Sequence, residues 1–134
     1  LKAVPAKRAP ELERHVLKRY RRARQRADQL SIDAKASRFH HWRKAVRRLM
    51  VALDLSCPHP TRKPWIKRLE KLAKILGRER DLLFVERSIA QGKDQGRPRQ
   101  RLARLRLRLR QRALHLARRL FKRSGKRFLR HLRG

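Results

Sequence analysis

Arg104-Leu105-Arg106-Leu107-Arg108-Leu109-Arg110 alternates charged and apolar residues with a period of two, the local pattern of a half-buried strand. The residues around it overrule that reading. Leu102, Leu105, Leu109, Leu116 and Leu120 keep a helical register through the run and beyond it, which predicts a helix from about Pro98 to Phe121. Leu107 and Leu114 fall one face round from this stripe, where another subunit or a neighbouring half-domain could meet them. Only ten residues of 134 are Val, Ile or Thr, whereas Leu, Ala, Arg and Lys dominate. β-branched residues favour strands and the latter four favour helices, so the whole chain reads as all-α.

Working outward, Ser124-Gly125 breaks the helix, and a short segment follows from Lys126 to Leu132. Upstream, Gln91 to Arg97 with Gly92 and Gly96 reads as a flexible loop. Before it a helix runs to about Ile89, with Thr61 as its N-cap and Pro64 tolerated in the first turn. Its expected buried set is Trp65, Leu69, Leu72, Ala73, Leu76, Leu83 and Phe84. Gly77 in mid-helix costs ~1 kcal/mol relative to Ala, which points to a close approach there. Ser56 to Pro60 stops the preceding helix, Ala36 to Leu55, whose stripe is Phe39, Trp42, Val46, Leu49, Met50 and Leu53. The first helix, Glu11 to Leu30, buries Leu12, Val16, Tyr20, Ala23, Ala27 and Leu30. Residues 1–10 read as a tail or linker, and residues 11–134 as one helical domain. Four helices with short loops predict an antiparallel four-helix bundle with a short C-terminal helix.

The formal net charge is +32, and residues 97–134 hold sixteen Lys or Arg without one Asp or Glu. Such density repels itself and calls for a polyanion, whose binding would weaken steeply with salt. A purely solvating surface mixes both signs, and this one cannot. Cys57 is the single cysteine, which excludes an internal disulfide and fits a reducing, cytoplasmic setting. No apolar run approaches membrane-spanning length, so no membrane partner is expected. The first residue is Leu, and a fragment of something longer is the natural expectation.

His40, Arg43, Lys44 and Arg47 stand at i, i+3, i+4 and i+7, one face of a helix bordering its apolar stripe. Guanidinium forks suit phosphate oxygens, lysine adds a point charge, and nearby phosphate would favour protonated histidine. Chance alone produces such stripes in so basic a chain. Further one-sided sets are Lys67, Lys71, Lys74 and Arg78 in the third helix and Arg101, Arg104, Arg108 and Arg112 in the fourth. Arg21, Arg22 and Arg24 lie in the first. These stripes either ring one channel or coat the exterior. Neither catalysis nor a metal or other cofactor is expected: the ten acids are scattered, Cys57 and His59 lack further ligands, and no Gly-rich phosphate loop or nucleophile triad is present. Trp42 and Trp65 fall on apolar stripes and read as core.

His40-His41-Trp42-Arg43-Lys44-Ala45-Val46-Arg47, followed some thirty residues later by Leu76-Gly77-Arg78-Glu79-Arg80-Asp81-Leu82, resembles a CHAD domain, the conserved histidine α-helical domain. Tyr20 and Arg24 resemble its preceding helix, and Ala113 to Leu120 its last long helix. The likeness covers roughly residues 15–132 and is greatest to the C-terminal of the family's two four-helix halves. The resemblance implies a non-enzymatic module for inorganic polyphosphate, often found with polyphosphate granules, whose histidine, arginines and lysines line a basic central channel. His40, Arg43, Lys44 and Arg47 would then contact the anion, with Tyr20, Arg21 and Arg24 nearby. Lys67, Lys71, Lys74, Arg78, Arg104, Arg108 and Arg112 would complete the wall. Gly77 would admit a neighbouring helix, and Asp81 would orient basic residues. Asp54 fits an acidic position of the family. A single half implies either a second CHAD half elsewhere or a homodimer that rebuilds the channel. From charge alone, the alternative is a nucleic-acid-binding basic bundle.

Overall fold

The computed structural model describes residues 9–90 and 96–133, and all their regular structure is helical. The helices are α1 (Ala9–Asp28), α2 (Ala36–Ser56), α3 (His59–Ala90), α4 (Gly96–Leu120) and α5 (Gly125–Arg133). The period-two run lies wholly within α4. α1 begins at Ala9, inside the expected tail, whose residues 1–8 lie outside the described residues. Of the expected loop, residues 91–95 also lie outside them, while Gly96 and Arg97 already belong to α4. No helix among the described residues is long and apolar enough to cross a membrane.

α1 packs on α2, α2 on α3 and α3 on α4, and α5 folds back onto α1. The core is apolar: Tyr20, Trp42, Leu49, Leu53, Leu69, Leu72, Leu76 and Phe128 are fully buried. Tyr20 stacks on Phe128 with ring centroids 3.8 Å apart and meets Trp65 edge-on at 6.4 Å. Gly125 lets α5 close on α1, because a Cβ there would meet Leu17 Cδ1 at 2.9 Å and the Arg21 side chain at 2.5 Å.

Three expectations give way to tertiary context. Thr61 does not cap α3: the helix starts two residues earlier, and the Pro58 carbonyl accepts both the Thr61 and Arg62 amides at 3.0 Å. Phe84 is 49% exposed, because it lies on the outer flank of α3 with the Arg80 guanidinium 4.9 Å above its ring. In α4 the buried face is Ala113, Ala117 and Leu120 with Arg110, whereas Leu105 and Leu107 stay exposed. Two alanines bring α4 close to its neighbours, and Arg106 and Arg110 of the alternating run turn inward beside Leu109, whereas Arg104, Arg108, Leu105 and Leu107 are exposed.

The partner of Arg106 and Arg110 is Glu79, which is 3% exposed. Arg106 Nε donates to Glu79 Oε2 at 3.0 Å and its Nη1 to Glu86 Oε2 at 2.7 Å, while Arg110 Nε lies 3.6 Å from Glu79. Arg110 Nη1 also donates to the carbonyls of Ile32 and Ala34, both at 2.9 Å, and the guanidinium covers the Phe39 ring at 4.1 Å. One arginine thus ties α4 to α3 and to the α1–α2 connection.

Candidate functional site

α2 and α3 run antiparallel, and their outer seam gathers the motif residues. The Arg43 guanidinium lies over Gly77, where a Cβ would sit 3.8 Å from Nη2 and 3.9 Å from Nε. Gly77 therefore admits a side chain of α2, not a whole neighbouring helix as expected. One turn further along, the His40 ring feels the charges of Arg80 on α3 and of Lys44, Arg43 and His41 on α2. Arg47 continues the α2 edge in solvent, and the antiparallel register brings it level with Ala73 and Lys74 on α3. Within this group, His40 Nδ1 and Arg43 Nε are buried and have no hydrogen-bond partner. Two buried nitrogens without a hydrogen-bond partner thus lie beside like charges.

Burial first, then the Arg80, Lys44, Arg43 and His41 charges hold the His40 imidazole below its ordinary 6.5. The folded chain thus favours neutral histidine more than the unfolded chain, which takes up a proton near 6.5. Stability from this group is present above that value and is lost as pH falls toward the folded pKa. Thermal unfolding at about pH 7 and about pH 5.5 should therefore show a larger loss for the native chain than for His40→Gln. Equal losses would remove His40 from the cation cluster.

Ala at position 77 meets Arg43 only at ordinary contact distance. Gly77→Ala should raise stability by about 1 kcal/mol through helix propensity and leave anion affinity unchanged. Gly77→Leu should displace the guanidinium and weaken binding. Denaturant unfolding and a binding titration on both variants check this.

The other expected residues divide. Lys67, Lys74 and Arg78 are exposed along α3 beside this seam. Arg78, Arg108 and Arg112 line the next groove, between α3 and α4, with Asp81, Leu82, Leu105 and Leu109, and Lys71 lies further along it. Arg104 is exposed and does not line that groove. Three residues of α1 are not part of the seam. Tyr20 is fully buried, its hydroxyl donating to the Arg123 carbonyl at 2.7 Å, and burial pushes its phenol up to about 12. Arg24 Nε donates to the Phe121 carbonyl at 2.9 Å, and Arg21 leans across Gly125. Tyr20 and Arg24 hold the α4–α5 turn through these bonds and lie apart from the seam, as does the exposed Arg21.

Asp81 makes no ion pair among the described residues; Glu79, two positions earlier, performs the orienting role expected of it. Asp54 pairs with Arg62 of α3 at 3.3 Å. Among the described residues, no three His, Cys, Asp or Glu side chains gather as for a metal ion. The cations do not enclose a channel within this bundle. Apolar side chains fill its middle, and Glu79 and Arg110 are the buried charged residues among those described. The α2 stripe instead forms one open wall with α3. Arg80, absent from the expected set, is central to it, and its signal was its place three residues after Gly77 in the same motif.

No curated protein and no solved structure matches the chain. A family model described as CHAD domain matches residues 2–91, which are 90 of the 134 residues and include α1, α2 and α3 with the whole His40–Arg80 seam. α4 and α5 lie beyond the match, so the likeness read in Ala113–Leu120 and to a C-terminal half does not rest on it. With the histidine helix, the Gly77 helix and their shared cation cluster in place, the chain belongs to the CHAD domain family.

Proposed function

We propose that this chain binds inorganic polyphosphate along the outer α2–α3 wall, with His40, Arg43, Lys44, Arg47, Lys74, Arg78 and Arg80 as the contacts, and that it does so without turnover. The fate of the acids carries this reading. Among the described residues, Glu79 and Glu86 hold Arg106 and Arg110, Asp54 holds Arg62, and Glu13 holds Arg133. Among the described residues none of the wall's cations takes part in an ion pair, although Asp81 lines a groove with Arg78. An added polyanion can supply the neutralising charge, and counterion release then drives association.

Polyphosphate suits this wall because it offers dense charge and no bases. Base readers stack nucleotides on several exposed aromatic rings, whereas Trp42 and Trp65 are buried here and the half-exposed Phe84 ring carries the Arg80 guanidinium. Among the described residues, the charged groups that act on the His40 ring are Arg80, Lys44, Arg43 and His41, a set with no carboxylate to share a proton-transfer reaction. Bound anion would stabilise the fold by ~2.7 kcal/mol at a hundredfold excess over Kd. Association with polyphosphate granules belongs to the same proposal.

A duplex nucleic acid is the second reading, favoured by the openness of the wall. Competition separates the two. Long-chain polyphosphate should displace labelled duplex DNA and RNA when added at equal phosphate concentration, and released orthophosphate should not rise. Failure to displace either nucleic acid would defeat the polyphosphate reading, and phosphate release would defeat the non-enzymatic one.

A further inference from the structure

A second basic hollow opens where α3 meets the turn between α4 and α5. Arg68, Lys71, Arg119, Lys122 and Arg123 line it over a floor of Leu116 and Leu120, and no acid is among them. Its volume is about 380 Å³, room for several phosphate groups and far more than one orthophosphate needs. The turn is held from behind, since the Arg123 carbonyl accepts the Tyr20 hydroxyl and the Phe121 carbonyl accepts Arg24 Nε. The Arg123 guanidinium is itself placed over the Trp65 ring at 5.9 Å. Five like charges, two on the braced turn and three on α3 and α4, repel one another and form a preorganised anion cradle.

This hollow is separate from the His40 seam. Lys71 and Arg80 are nine residues apart on α3, two and a half turns, so they leave opposite flanks of the helix about 14 Å apart along its axis. A short condensed phosphate at one cluster does not reach the other, whereas a long chain can cross the exposed Lys74 and Arg78 between them.

We propose that the Arg68–Lys71–Arg119–Lys122–Arg123 hollow is a second condensed-phosphate site, and that simultaneous engagement of both sites makes the protein selective for long chains. The ligand class rests on the reading above; the site does not. Tethering turns the second contact into an intramolecular one, which raises affinity by roughly 10²-fold or more without new contacts.

Calorimetric titration of the full 134-residue chain with tripolyphosphate and with long-chain polyphosphate tests this. Lys71 and Arg119 are exposed, so Lys71→Ala with Arg119→Ala leaves the core intact, and far-UV circular dichroism verifies it. The native chain should take up two tripolyphosphates and the variant one, with long-chain affinity falling at least about tenfold. Native stoichiometry and native long-chain affinity in that variant would overturn the second site. Loss in Arg43→Ala/Lys44→Ala with no loss in Lys71→Ala/Arg119→Ala leaves the proposed function standing and sinks this inference. The converse pattern keeps the hollow and moves binding away from the seam, and no uptake of either probe by the native chain defeats both.

Discussion

Glu79→Ala is expected to cost about 3–5 kcal/mol, as much as truncating a large core side chain. The carboxylate is nearly inaccessible and accepts from Arg106 at 3.0 Å while facing Arg110 at 3.6 Å. Removing it strands two arginines that the fold has already desolvated. Arg110 would keep its two carbonyl partners and its place over Phe39, but Arg106 would retain only Glu86. A small domain holds ~5–15 kcal/mol in all, so a substantial part of the margin would disappear. Glu79→Gln, which keeps the shape and one acceptor, should lose less. Urea unfolding gives both numbers, and an alanine loss under about 1 kcal/mol would show that the buried network contributes little to holding α4 on α3.

Arg43→Ala combined with Lys44→Ala should weaken polyphosphate binding about tenfold, or 1.4 kcal/mol. The log–log salt slope should fall by about 1.4–1.8 units, at 0.7–0.9 per lost phosphate contact. Stability should hardly change, because neither side chain takes part in an ion pair among the described residues, and Arg43 Nε has no hydrogen-bond partner to lose. Titrations between about 50 and 200 mM salt measure both quantities. A lower affinity with an unchanged slope would mean that the residues act through the fold and not through phosphate.

Much of the fold was legible because helical stripes are local. Phe39, Trp42, Val46, Leu49 and Leu53 on α2, and Trp65, Leu69, Leu72 and Leu76 on α3, declare their buried faces by spacing alone. α4 was legible as a helix but not as a packed surface. Its inward residues include Arg106 and Arg110, and nothing within α4 reveals that Glu79 and Glu86 await them on α3.

The site shows the same division. The spacing of His40, Arg43, Lys44 and Arg47 placed them on one helix edge, where they are found. Arg80 joins them only through the antiparallel register of α2 and α3, a tertiary fact. Tyr20 and Arg24 were drawn to the site by type, yet their partners are the carbonyls of Arg123 and Phe121, about a hundred residues away. Among 42 basic residues, spacing cannot separate an arginine that binds a backbone carbonyl from one that waits for an anion.

The His40 ring is the most direct witness to an anion in the seam. Its titration can be followed by NMR, with and without long-chain polyphosphate, in the native protein. Phosphate beside Nδ1 would offset the surrounding cations, so the midpoint should move upward from its depressed value. A His40 midpoint that stays depressed under saturating polyphosphate would contradict binding at the α2–α3 wall.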